Sequence, residues 1–227
     1  MSALESPVSD LFADLLPGVC DRRVEDSYRR RWRGTVAGVD EAGRGPWAGP
    51  VVTAAVVLTD ADLPDCLTDS KQLTAEEREA CFEAICRDHH VAVASASAAL
   101  IDRVNIRAAT LEAMGRALAS LPVPLVGVLV DGRDVPPAVA ERGLKGAAIV
   151  KGDAHVAAIA AASVIAKVTR DRMMRAYAGH YPLYGFERHM GYGTPGHRTA
   201  LLAHGPCPIH RMSFRPLRSD GEGEEAD

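Results

Sequence analysis

The chain has 227 residues, 47% of them hydrophobic, and a formal net charge of −4, which allows one sizeable core with an appended segment rather than several domains. Its longest apolar run, around residues 156 to 166 and interrupted by Ser163, is well short of the roughly 20 residues of a membrane span, and no signal peptide is read at the acidic N-terminus. Five cysteines, an odd number with no C-x-x-C pair, argue against structural zinc and point to reduced thiols in a cytoplasm, and a soluble chain with no membrane partner is expected, as is a monomer.

In chain order, residues 1–33 mix acids with Arg29, Arg30, Arg31 and Arg33 and predict a loosely ordered arm. Val36 to Asp40 and Val51 to Leu58 read as strands that pair, the second a continuous apolar run suited to burial on both faces. Thr74-Ala75-Glu76-Glu77 is a capping-box signature that opens a helix to about His89. Val91 to Ala98 predicts a strand, Ile106 to Ser120 a helix stopped by Pro122, and Val126 to Val130 a strand ending on Asp131-Gly132. Ala147 to Val150 is a short strand that runs into Lys151-Gly152-Asp153 and a long alanine-rich helix through roughly Tyr177.

Charge is unevenly placed. Ser219 to Asp227 holds five acids and no base, whereas Lys151 to Arg218 holds ten Lys or Arg against three acids. That excess suits a polyanion partner or, equally, a solvated basic face.

Three strand ends deliver carboxylates: Asp40-Glu41, Asp131 and Asp153. The first pair runs into a glycine-rich turn, Gly43-Arg44-Gly45. If the strand persists, Asp40 and Glu41 leave on opposite faces, and a bend at Ala42-Gly43 is needed to bring both to one site. A loop-edge Asp-Glu, an Asp-Gly turn and a helix-capping Asp would each explain one acid alone. Together, four oxygen donors at the strand ends of an α/β sheet suit Mg2+ or Mn2+, and a two-ion site suits phosphodiester hydrolysis, as in a nuclease.

These residues carry a resemblance. GVDEAGRGPWAGPVV, DSKQL, VDG, KGD, AAASVIAKVTRD, GYGTPGH and GPCPIHRMSF, in that order over about residues 34 to 217, resemble the blocks of the ribonuclease HII family, the type 2 ribonucleases H, in its bacterial form. The resemblance implies an α/β fold, a ribonuclease H-like mixed β-sheet flanked by helices over 34–177, with a basic helical C-terminal extension over 178–218; the acidic tail over 219–227 lies outside the resemblance and is expected to be disordered. It implies an endoribonuclease whose partners are RNA–DNA hybrid and ribonucleotide-containing duplex DNA, cutting on the 5′ side of a ribonucleotide. The family's metal-binding acids fall on Asp40, Glu41, Asp131 and Asp153. Its turn that reads the ribose 2′-hydroxyl falls on Gly43, Arg44 and Gly45, and its tyrosine that packs on the neighbouring deoxyribose falls on Tyr192. Lys71, Lys151, Lys167 and Arg170 are expected to contact phosphate, the last two sharing a helix face; a solvated face is the other reading of Arg170. Two positions depart from the family's pattern: Met190 stands where lysine is frequent, and Trp47 where leucine is commoner. The histidines, His189 included, are read as core or surface residues rather than proton shuttles. A resolvase-like nuclease of the same fold would share the strand-end acids but not the glycine-arginine-glycine turn, and an inactive hybrid-binding module would tolerate loss of an acid.

Overall fold

The computed structural model describes residues 20–64, 66–67 and 73–218. Five strands form one mixed sheet: β1 (Val36–Ala42), β2 (Val51–Val57), β3 (His90–Ala96), β4 (Gly127–Asp131) and β5 (Lys145–Ile149), in the order β3-β2-β1-β4-β5. Around it lie α1 (Arg23–Trp32), α2 (Ala75–Asp88), α3 (Ala98–Val104), α4 (Ile106–Ala119), α5 (Pro137–Glu141), α6 (Ala157–His180), α7 (Phe186–His189) and α8 (Pro195–His204). β1 and β2 pair antiparallel, as do β2 and β3. β1, β4 and β5 run parallel, so their C-terminal ends lie side by side, where α/β sheets gather functional groups.

β2 is buried along its whole length because helices cover both faces. Ala54 and Val56 pack with α6 and with Cys81 and Ile85 of α2; Ala55 and Val57 meet Met114, Ala117 and Leu118 of α4. The long helix sits directly on β1 because Gly38 has no side chain: a Cβ there would lie 2.2 Å from the Ala158 carbonyl carbon. At the start of α2 the capping box forms as expected, with Glu77 N–H donating to Thr74 Oγ1 at 3.2 Å and Thr74 N–H to Glu77 Oε2 at 2.8 Å.

The expected loose arm is corrected from Cys20 onward. Val24, Tyr28 and Trp32 recur every fourth residue, and α1 lays that stripe against Leu129, Val156 and Ile159. Glu25 is buried and accepts the Ala158 N–H at 2.8 Å, satisfying a donor in the first turn of α6, whose N-cap residue Val156 offers no side-chain bond. Burial pushes the Glu25 carboxyl up to about 7, although the bond from Ala158 pulls the other way. The α6 helix therefore begins at Ala157, not at Asp153, which sits in a short 3-10 turn, Gly152–Ala154.

The thiols also differ from expectation. Cys66 and Cys81 form a disulfide, while Cys20, Cys86 and Cys207 are free. Spacing in the chain does not reveal the Cys66–Cys81 partnership. Among the described residues no helix is long and apolar enough to cross a membrane.

Candidate active site

β1 persists through both acids to Ala42, so Asp40 and Glu41 leave the strand on opposite faces. Asp40 is buried and Glu41 half-buried. The parallel register sets Val39 against Val130, which brings the end of β4 and Asp131 alongside the pair. Asp153 follows from the turn after β5, its N–H 3.4 Å from Asp131 Oδ1.

Burial pushes the Asp40 carboxyl well above the usual range, and repulsion from Asp131 and Glu41 adds to the rise; the Glu41 N–H, 2.7 Å away, and the Ser163 hydroxyl act against it. Glu41 is raised by burial despite the Arg44 guanidinium at 3.2 Å. Asp131 is raised by burial and then by Asp153. Among the described residues no three His, Cys, Asp or Glu side chains stand close enough to cage an ion as they are. The donor set still fits a hard divalent cation: buried, mutually repelling carboxylates form a charge excess that such an ion cancels.

Beyond the acids, Gly43 adopts φ +93°, and a Cβ there would lie 1.9 Å from Arg170 Nε, so the turn needs glycine both for its backbone and for its floor. Arg44 and Gly45 are exposed. Tyr192 is 47% exposed, and its Cε1 lies 3.9 Å from where a Gly45 Cβ would be. Thus the turn and the ring, 147 positions apart by their numbers, are neighbours.

Arg170 is not a phosphate contact. It is 1% exposed, and its Nε, Nη1 and Nη2 donate to the carbonyls of Pro50, Met190 and Ala48 at 3.0, 3.0 and 3.2 Å. The reason is tertiary: the 43–50 loop covers that face of α6. Lys167, on the same helix, pairs with Asp171 at 2.8 Å and keeps a side-chain exposure of 38%. Lys151 is exposed beside Asp153 in a left-handed conformation, φ 57°. Lys71 lies outside the described residues. Trp47 packs on His197, with ring centroids 5.4 Å apart, and on Gly193.

Two groups escaped the sequence reading. Ser163, the polar interruption of an apolar helix face, reaches Asp40. Arg211, 0% exposed, donates from Nε to Gly49, from Nη1 to Arg44 and from Nη2 to Gly43, at 3.0, 2.9 and 2.5 Å. Burial, and then Arg170, lowers Arg211 to about 9, which leaves it charged at neutral pH. No local pattern separates a buried guanidinium from a surface one.

A mixed sheet whose parallel strands end on four acids, beside a glycine turn and an exposed tyrosine, defines a metal-dependent nuclease of the ribonuclease H fold. The family model described as Ribonuclease HII matches residues 37–216, and the chain belongs to that family. Proteins of the same name from Rhizobium etli (52% identity over 100% of this chain and 98% of theirs) and Sinorhizobium medicae (53% over 96% and 99%) are similar throughout. Among solved structures, the ribonuclease H2 of Pyrococcus horikoshii superposes with a TM-score of 0.67 at 31% identity, covering 81% of this chain and 95% of that one. The RNase HII of Archaeoglobus fulgidus, in its complex with PCNA, gives 0.68 at 29%, covering 80% and 95%. The chain is accordingly a ribonuclease H, a divalent-metal-dependent endonuclease of a family that acts on RNA–DNA hybrids.

Proposed function

We propose that this chain, besides cleaving the RNA strand of hybrids, cuts on the 5′ side of a single ribonucleotide embedded in duplex DNA, leaving 3′-hydroxyl and 5′-phosphate ends. Asp40, Glu41, Asp131 and Asp153 are assigned to two divalent cations, Mg2+ or Mn2+. Bound there, such ions lower the pKa of an attacking water and stabilise the departing 3′-oxygen. The chain's own part is to hold the carboxylates, with Asp40 anchored by the Glu41 N–H and Ser163 and Asp131 by backbone N–H groups of Gly132, Gly152 and Asp153. No side chain acts as nucleophile. The turn at Gly43, Arg44 and Gly45 meets the 2′-hydroxyl with backbone groups, and the flat Tyr192 ring packs on the next sugar when that sugar is a deoxyribose. Lys151, Lys167 and, beyond the described residues, Lys71 contact phosphate. One chain carries every group of this site, which supports a monomer as the active species, in the cytoplasm where its substrate is made.

The observation that carries the reading is adjacency: the strand bearing Asp40 and Glu41 leads straight into the turn that neighbours Tyr192, so cutting and reading share one origin. Duplex DNA with one ribonucleotide, incubated with Mg2+, with Mn2+ and with chelator, tests it. One cut 5′ of the ribonucleotide is expected with metal and none with chelator. Chelator-resistant cleavage, or a cut on the 3′ side, overturns it.

A further inference from the structure

We infer that Arg211 is a positioning residue for 2′-hydroxyl recognition: from inside the protein it sets the peptide planes of the Gly43-Arg44-Gly45 turn so that two N–H groups face the substrate. This rests on the reading of that turn given above and adds what holds it.

The Gly43 and Arg44 carbonyls both accept from the Arg211 guanidinium, at 2.5 and 2.9 Å. Both peptides are trans, and in a trans peptide the N–H points opposite to the C=O. With two successive carbonyls drawn inward, the N–H groups of Arg44 and Gly45 are turned outward. Neither donates to a partner among the described residues. The turn thus meets its ligand as a pair of donors, suited to an acceptor oxygen such as that of a 2′-hydroxyl.

Arg211 is itself held on three sides. Its N–H donates to the Trp47 carbonyl at 2.8 Å, its Nε to the Gly49 carbonyl at 3.0 Å, and its guanidinium lies 5.0 Å from the Phe214 ring centroid. From α3, the Asp102 carboxylate accepts the N–H groups of Met212 and Ser213, each at 2.9 Å, and the Ser213 hydroxyl at 2.6 Å. Next to it, Arg170 lies against Gly43 and 5.9 Å from the Tyr192 ring centroid. Two buried cations bonded to carbonyls therefore floor both specificity elements. Lysine could not replace Arg211, because one ammonium lacks the fork that reaches three separated carbonyls.

The test compares single-turnover cleavage of duplexes whose one reporting nucleotide carries a 2′-hydroxyl or a 2′-fluorine, using wild type, Arg211→Lys and Asp102→Ala, below each protein's measured Tm. Wild type should prefer the hydroxyl by at least about tenfold, because fluorine is a poor acceptor; Arg211→Lys should lose most of that preference, and Asp102→Ala, which loosens the Met212–Ser213 turn without touching the guanidinium, part of it. A residue that only supported the fold would lower Tm and leave the ratio unchanged. Should Arg211→Lys not fold, the Asp102→Ala ratio decides alone. A discriminating wild type beside variants that discriminate equally overturns the role of Arg211 only. A wild type that cuts both substrates equally overturns the reading of the turn, and this role with it.

Discussion

The carboxylate cluster and the reading turn stand side by side at the end of β1, but their charges are handled in opposite ways. Asp40, Glu41 and Asp131 are acids crowded into a half-buried space, and burial with mutual repulsion raises all three. Arg170 and Arg211 are just as buried, yet each donates three hydrogen bonds to backbone carbonyls. The acid half is left in electrostatic tension that a divalent cation would relieve; in the turn half the buried guanidinium groups are already satisfied and hold the backbone in place. Chemistry needs groups that respond to an arriving ion, whereas discrimination of one oxygen needs donors that do not move.

The largest expected effect breaks the acid half. Asp40→Asn and Asp131→Asn should each lower kcat by about three orders of magnitude or more, since a lost charged ligand unseats the ion that activates water. The Tm of the metal-free variants should be no lower than that of wild type, because each removes a buried charge that repels its neighbours. Near-normal turnover at saturating metal, or collapse of the fold, would show that the acids are structural.

A smaller loss is expected from the exposed edge of the turn half. Tyr192→Ala should reduce cleavage at a lone ribonucleotide by about ten- to a hundredfold, and cleavage of continuous RNA–DNA hybrid by less, since in the hybrid the ring never meets its preferred sugar. Steady-state kcat/KM on both substrates measures this. Equal losses would place Tyr192 among supports of the fold.

The smallest effect on binding, and the sharpest contrast, comes from two bases expected at first to do the same job. Lys151→Ala should flatten the salt dependence of duplex binding by about one unit of slope at little cost in stability. Arg170→Met should leave the slope unchanged while destabilising the protein by about 3–5 kcal/mol, as unsatisfied buried carbonyls and a lost cation demand. Binding isotherms across salt concentrations, with thermal melts, separate the two; a reduced slope for Arg170→Met would restore it as a phosphate contact.

Residues 178–218 belong to this contrast as well. They carry α7 and α8 and then return to the 43–50 loop, where Ala48 bridges His210 and Gly49 N–H donates to the Ile209 carbonyl at 2.8 Å. Arg211 reaches the turn through this stitch. Below it, the His197 and His210 rings are buried and bonded Nε2 to Nε2 at 3.0 Å, with His197 Nδ1 donating to the Tyr192 carbonyl at 2.9 Å. These histidines are core residues, as expected, and their bonds hold the segment that displays Tyr192.

By itself the sequence determined much of what short-range pattern carries. Apolar runs placed the strands, the capping box opened α2, and the recurrence of acids at the ends of β1 and β4 and after β5 marked the end of the sheet to which the divalent cations are assigned, because strand ends are points where periodicity breaks visibly in the chain. Only tertiary structure decided which charges face the substrate. Arg170 and Lys167 share a helix face and read alike, yet a loop from residues 43–50 covers one and leaves the other partly exposed. In the same way Val24, Tyr28 and Trp32 gain meaning when Leu129 of β4, Val156 and Ile159 lie beneath them, and nothing in the spacing of Cys66 and Cys81 marks them as partners. Arg211 sets a turn 167 positions away in the chain. Burial depends on what long-range contacts bring over a side chain, and that information is absent from any window of neighbouring residues.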